Sequence, residues 1–338
     1  MADVEPILLT RYRAKIAEYL RARALPSHRL TGRMVAYHMG WADAEGRAQS
    51  KHSGKFVRPS LCVWACVACG GDETDALPVA AAVEWTHNAT LVHDDIQDGD
   101  HHRRGRRTVW SLWGVEDAIN AGDVLHVLAF GALAEDGVNA PRALLALRAL
   151  ASATLDVIEG QSLDLAHEGN VDARLRPYLR IARAKTGALI GASLETGALM
   201  AGAGAARAAT FARAGRLLGT AFQMRDDWLG IWGDPRKTGK SSTADVRNRK
   251  VTYPAIAAYQ RMSALQRGRL RELFESDRSG VDDEIRSLLE DAGAAEIAQA
   301  APLQYARKAT AAIERTGIDR SAIESFREVA HYVATRAR

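Results

Sequence analysis

Aromatic side chains make up only 6 % of this 338-residue chain, and prolines number nine. Sheet-rich folds draw on aromatic and β-branched strands, whereas a chain poor in both prolines and aromatics and rich in alanine reads as helical. No segment shows convincing strand alternation, no low-complexity linker divides the chain, and no simple short-period repeat is evident. No apolar run of about 18 residues occurs, so no transmembrane helix is expected. The opening MADVEPILLTRYRAK is broken by charge and lacks the apolar stretch of a secretory signal. Three cysteines, Cys62, Cys66 and Cys69, recur at helical spacing inside an apolar run. Their odd number suggests reduced thiols and a cytoplasmic protein. Cys66 and Cys69 form a CxxC without a second pair or nearby histidines, so core packing is expected of them rather than zinc.

What is present suffices for a large core: 47 % hydrophobic and 25 % charged residues. The net charge of +4 is mild, and no long basic tract is interleaved with aromatics, so a nucleic-acid partner is not expected. Periodicity predicts helices over 5–24, 32–47, Pro59 to Cys69, 75–98, 115–135, 141–168, 173–202, 205–232, 251–276, 281–290, 293–315 and 319–335. The loop between 99 and 112 carries a run of arginines. The expected fold is all-α: one domain over 1–338, with 1–28 as an N-terminal helix or arm, and a bundle enclosing a central cavity whose helices supply inward ligands.

The chemistry gathers at EWTHNATLVHDDIQDGDHHRRGRRTVW, residues 84–110. Asp94 and Asp98 are four apart, hence on one helix face, with Asp95 beside them. No lysine or arginine lies among them, and carboxylates so placed repel one another unless a cation binds. Oxygen ligands favour a hard ion such as magnesium, which completes its shell with water and substrate phosphates. Arg103, Arg104, Arg106 and Arg107 follow at once. An acidic helix end beside a basic loop is often only a solvated surface. The second acidic pair argues against that: Asp226 and Asp227 sit among Phe222, Met224, Trp228, Leu229, Ile231 and Trp232, where a carboxylate pair is costly unless coordinated.

Taken together these motifs resemble those of the trans-isoprenyl diphosphate synthases, the head-to-tail polyprenyl synthase family, from about residue 50 to 254. The resemblance implies a prenyltransferase that joins isopentenyl diphosphate to an allylic diphosphate (dimethylallyl, geranyl or farnesyl), as a homodimer using magnesium, three ions with substrate bound, or manganese. Gly54-Lys55-Phe56-Val57-Arg58-Pro59 resembles Gly-Lys-x-x-Arg-Pro, so Lys55 and Arg58 would hold the isopentenyl diphosphate, with His87 and Arg104. Asp94, Asp95, Asp98, Asp226 and Asp227 would bind metal, Asp94 and Asp98 foremost. Arg103, Lys185, Lys240 and, as a related role, Lys250 would grip the allylic diphosphate. Lys185, Thr186 and Gln223 would stand at the reacting carbon, and Gln161 and Asp164 near the metals. Arg106 and Arg107 read as solvated, and Asp123 as structural. Two departures stand out. Gly230 occupies the place of a third aspartate, and Phe56 that of a basic residue, which implies a weaker isopentenyl site.

By the family's logic the residues before the first aspartate limit the product. Thr90, Ala89 and Thr86 are all small, which implies a product longer than farnesyl, geranylgeranyl diphosphate first. Trp85, roughly 13 Å along the helix from Asp94, is a candidate floor, as are His126 and Phe130. A farnesyl or longer-chain synthase is the alternative. A class I terpene cyclase shares the acidic first motif but normally pairs it with an Asn-Ser-Glu type motif and no isopentenyl site. A non-catalytic partner subunit tends to lose the acidic motifs, which are intact here.

Overall fold

The computed structural model describes residues 4–26, 28–49, 54–169, 174–233, 250, 252–276 and 280–337. Two short helices open the chain, α1 (Ile7–Arg11) and α2 (Arg13–Arg23), followed by α3 (Leu30–His38) and α4 (Val57–Ala68). The long α5 (Glu73–Gln97) is capped by Asp72, which accepts from the Thr74 amide. After α6 (Val109–Trp113) come α7 (Val115–Leu133) and α8 (Ala140–Ala166). A helix then runs through three segments: α9 (Leu175–Ile181), a π-helical stretch (Ala182–Gly187) and α10 (Ala188–Met200). The set closes with α11 (Ala205–Trp232), α12 (Tyr253–Arg261), α13 (Ala264–Glu275), α14 (Val281–Asp291), α15 (Ala294–Glu314) and α16 (Arg320–Thr335).

The main core forms around α5, which packs on α7, α4 and α10, while α11 packs on α10 and α15. Leu61, Val79, Trp85, Leu125, Leu189 and Phe211 are buried there, as are Cys62 and Cys66. A smaller cluster, including Ile231, Leu270, Ile285 and Leu289, unites the end of α11 with α12, α13 and α14. Among the described residues no helix is long and apolar enough to cross a membrane.

Several expected boundaries move. The helix expected over 32–47 stops at His38 because Gly40 takes a left-handed conformation (φ 74°), leaving a turn bridged at Ala42 and Ala48. The one expected over 251–276 is two. Met262 is extended, and Ser263 begins a new helix through a capping box with Gln266. The arginine loop holds a hairpin, β1 (His102–Arg103) with β2 (Arg106–Arg107), turned at Arg104 and Gly105, both with positive φ as a two-residue primed turn requires. Pro177 does not break its helix. It sits in the first turn, where its missing N–H would have had no intrahelical partner.

Candidate active site

Two charged regions meet on α5. The first is a cavity of about 590 Å³ between the start of α4, α5, the hairpin, α11 and the segment after α16. Its lining includes Lys55, Arg58, His87, Arg104, Arg106 and Arg336, with Phe56 and Phe222 as its aromatic walls. Phe56 (φ 48°) and Arg104 (φ 53°) are, among the described residues, the non-glycine residues with positive φ. Such backbone costs energy and persists where surrounding structure enforces it, so strain concentrates on this cavity. Phe56 stands as α4's N-cap and is buried in the main core, anchoring the turn that carries Lys55 and Arg58.

His87 Nε2 lies 3.1 Å from Arg58 Nη1. Arginine can only donate, so the ring nitrogen accepts and the imidazole is neutral. Burial and the positive Arg58 hold its pKa well below the ordinary histidine value. Burial also lowers Arg58, to about 10, against the opposing pull of Glu84 and Asp226.

The second region is acidic. Burial pushes Asp94 up to about 6, with Lys185 opposing and Asp98 reinforcing. Asp98 accepts from Gln161 Nε2 at 3.3 Å and from Lys250 Nζ at 3.1 Å. Burial would raise it, but Lys250 and Lys185 outweigh that and leave it below its usual range. From α8, Asp164 pairs with Lys185 in the π-helical stretch at 2.7 Å. Thr186 Oγ1 donates to Gln223 Oε1 at 2.6 Å, and Gln223 Nε2 donates to Asp227 Oδ1 at 2.8 Å. This chain of contacts runs from the first acidic motif through α8 and the π-helical stretch to the second. A π turn widens the helix and often marks functional positions. Here Gly160 of α8 admits it: a Cβ at that residue would lie 2.4 Å from Lys185 N.

The five aspartates are not equivalent. Asp95, expected as a ligand, is 1 % exposed and takes Arg103 Nε on Oδ1 at 2.6 Å. One residue on from Asp94, it is rotated about 100° from that face, so it anchors Arg103 while Asp94 and Asp98 share the open side. Asp227 is occupied by three protein donors: Tyr178 Oη at 2.7 Å, Gln223 Nε2 and the Tyr253 amide at 2.9 Å. Asp226 is more open and forms an ion pair with Arg336. Among the described residues no three acidic, histidine or cysteine side chains form a cage for an ion by themselves. Yet the donor set fits a hard cation that finishes its shell with phosphate oxygens, since burial raises Asp94 to about 6, which a bound cation would offset, and Gln161 Oε1, on the side chain that donates to Asp98, is buried without a partner.

A family model for polyprenyl synthetase matches residues 41–292. The chain belongs to the polyprenyl synthetase family. It is 40 % identical over 309 residues to the (2E,6E)-farnesyl diphosphate synthase of Mycobacterium tuberculosis, covering 90 % of this chain and 85 % of that protein. It is 46 % identical over 261 residues to the geranylgeranyl diphosphate synthase of the same organism, covering 76 % and 73 %. The solved polyprenyl synthetase from Streptomyces coelicolor superposes with a TM-score of 0.89 at 35 % identity, covering 96 % of this chain and 98 % of that one. The chain is thus a trans-prenyl diphosphate synthase of all-α fold, in a family of prenyltransferases that generally depends on divalent metal.

Other synthase residues fall as follows. Arg106 is not solvated: its guanidinium donates to Tyr37 O at 3.0 Å and Ala42 O at 2.9 Å and lies over the Tyr37 ring, tying the hairpin to α3. Arg107 is exposed and donates to Ser111 O. Asp123 is largely exposed on α7, 3.8 Å from His93 Nε2, not buried as a structural residue would be. Ala89 and Thr86 are buried, and Thr90 donates to His87 O at 2.8 Å. Trp85 is fully buried but packs edge-on against Trp41, roughly half a helical turn around α5 from Asp94, which removes it as a floor. His126 is half-buried beside the His93 ring. Phe130 is 52 % exposed on α7, so within one chain it closes no cavity. Gly230 lies in the last turn of α11. Lys240 lies outside the described residues. Arg336, Tyr178 and Glu84 were missed by sequence reasoning. Arg336 and Tyr178 are far in sequence from the motifs they serve, and only Glu84, a charge inside an apolar helix stretch three residues before His87, left a local signal.

Proposed function

We propose that this synthase condenses an allylic diphosphate with isopentenyl diphosphate and stops at geranylgeranyl diphosphate. What supports the length is the small size of Thr90 and Ala89, four and five residues before Asp94, where by the family's logic a bulky side chain would shorten the product. The 46 % identity to a geranylgeranyl diphosphate synthase supports it. A farnesyl product is the second reading, favoured by the longer alignment with a synthase of that name.

The cationic cavity is read as the isopentenyl diphosphate subsite. Lys55 offers a point charge, and Arg58 and Arg104 offer planar forks. Neutral His87 orients Arg58. The allylic diphosphate lies between the acidic motifs, near Lys185, Lys250 and Arg103, with Lys240 assigned by resemblance alone. Asp94, Asp98 and Asp226 would hold the metal, magnesium with manganese as a substitute and three ions with substrate bound, while Asp95 and Asp227 brace neighbouring groups. When bound, the metal neutralises charge building on the leaving diphosphate. Lys185 exchanges Asp164 for that diphosphate, and the Thr186 hydroxyl, fixed by Gln223, faces the carbon that loses it. Preorganised charge lowers the barrier to C–O ionisation, and a water-poor bundle interior limits hydrolysis of the carbocation. The isopentenyl double bond then attacks, and the proton is lost to the released diphosphate.

All of 1–338 serves as one domain, with α1 and α2 seated on the main core through Leu8, Leu9, Tyr12, Ile16 and Leu20. A homodimer is supported by the apolar outer faces of α7 and α8, where Val127, Phe130, Leu155 and Ile158 are more than half exposed. Incubation with isopentenyl diphosphate and each allylic primer, followed by chromatography of the hydrolysed products, tests the assignment. The C20 alcohol is expected. Ala89→Phe is expected to shorten the product, and an unchanged product profile would sink the pocket assignment.

A further inference from the structure

The cationic cavity contains a group that the proposed reaction leaves unused. Glu84, one turn before His87 on α5, is 3 % exposed and lines the cavity, the one carboxylate among its described lining residues. Asn88 Nδ2 donates to Glu84 Oε1 at 2.9 Å and to Glu84 O at 2.8 Å. Asn88 Oδ1 in turn meets His38 Nε2, from α3, at 3.1 Å. Since Nδ2 must donate to Glu84, Oδ1 accepts, and His38 carries its proton on Nε2. The carboxylate is thus held by Asn88 on its own helix, which His38 on α3 braces in turn.

A carboxylate is an unexpected lining for a pocket that receives an anion, because it repels the ligand. Its surroundings supply the reason. Lys55 and Arg58 face the same space from the start of α4, Arg104 and Arg106 from the hairpin, and Arg336 from the segment after α16. Several cations gathered in a partly dry cavity repel one another and lose hydration, a cost that Glu84 offsets from within the lining while Asp226 pairs with Arg336 from outside it.

We infer that Glu84 is a positioning residue for the isopentenyl diphosphate subsite, the counter-charge that holds its cations together while the pocket is empty and weakens its grip on the anion once it is filled. This rests on the reading of the cavity given above. Glu84 acts through the arginines and needs no contact with substrate. A pocket so built stays assembled between turnovers without an anion and does not bind pyrophosphate so tightly that exchange stalls.

The test is metal-free binding of inorganic pyrophosphate to the full chain by calorimetry in EDTA, together with thermal melting. Glu84→Gln keeps the shape and the oxygen that Asn88 donates to, and removes only the charge. Pyrophosphate is expected to bind this variant roughly tenfold more tightly than the wild type, as a change of one nearby charge implies. The empty variant is expected to melt lower and to recover most of the difference at saturating pyrophosphate. A glutamate that merely packs would lower both stability and affinity, so unchanged or weaker binding overturns the inference. The double variant Glu84→Gln with Arg104→Gln restores the balance of charge and should melt closer to the wild type than Glu84→Gln alone. If it is the less stable of the two, the inference is wrong. If Glu84→Gln does not fold, recovery of folding in the double variant decides the matter in the same way. Arg58→Gln separates this from the reading of the cavity. If it leaves wild-type pyrophosphate affinity intact, the cavity is not the subsite. If it weakens binding while Glu84→Gln fails to tighten it, only the role of Glu84 falls.

Discussion

The two ends of α5's inner face are built of opposite materials. Around His87, the walls are cations: Lys55, Arg58, Arg104 and Arg106, with Glu84 as the one described carboxylate. Around Asp94 and Asp98, they are carboxylates, and the nearby cations Lys250, Lys185 and Arg103 are already paired with Asp98, Asp164 and Asp95. A cationic pocket binds a diphosphate directly and releases it intact. A carboxylate site repels a diphosphate unless it holds a divalent ion, which would supply positive charge where a leaving group becomes more negative. In the reading proposed above, the contrast gives the two sites different jobs: one would present a substrate whose diphosphate is kept, and the other would remove a diphosphate.

The largest expected difference lies in turnover. Asp94→Ala should lower kcat by roughly 100- to 1000-fold, the range for losing one preorganised electrostatic partner. Metal-free pyrophosphate binding at the cationic cavity should stay at the wild-type level. A parallel loss in that titration would show that the two sites are not separable. Next in size is Arg58→Gln, which should raise KM for isopentenyl diphosphate roughly 10- to 100-fold, as expected for a lost charged hydrogen bond. KM for the allylic substrate should move little, and initial-rate kinetics with each substrate varied in turn would check the split.

Arg336 links the two regions, since it lines the cationic cavity and pairs with Asp226. Arg225 holds its backbone, donating to Arg336 O at 2.7 Å and Thr335 O at 3.2 Å. Arg336→Gln should therefore tighten divalent-ion binding a few-fold by freeing Asp226, and weaken metal-free pyrophosphate binding by a similar factor. Effects of one sign on both would contradict a bridging role.

The smallest effect concerns pH. Burial and the nearby Arg104 and Arg103 lower His38 to about 3 from its ordinary 6.5. A histidine kept neutral in the fold binds fewer protons there than when unfolded, so its contribution to stability is present above 6.5 and is lost as pH falls from there towards 3. His87 is shifted in the same direction. The melting temperature should decline through this window, and His38→Gln should flatten part of the decline.

The acidic motifs, the basic segment at Lys55–Arg58 and the helical class were all legible because each depends on near neighbours. Asp94 and Asp98 share a face by spacing alone. The capping box at Ser263 and Gln266 was equally local and would have divided the helix expected over 251–276. The division of labour among aspartates was not legible. Asp227 owes its three donors to Tyr178, Gln223 and Tyr253, which come from three helices. Arg106 looked like one more solvated charge because its acceptors, Tyr37 O and Ala42 O, lie more than sixty residues earlier. Rise along the helix sets Trp85 below Asp94, but rotation around it carries Trp85 to the opposite side, against Trp41.

The sequence by itself determined an all-helical chain and which short segments carry diphosphate chemistry, because helical periodicity and motif spacing are local properties of the backbone. Only the tertiary structure decided which carboxylates stay open, which are consumed by arginine or tyrosine, and that a segment after the last described helix returns to the cavity. Those outcomes depend on which distant side chains share a desolvated space, where a charge without a partner is costly, and the order of residues along the chain does not encode that distance.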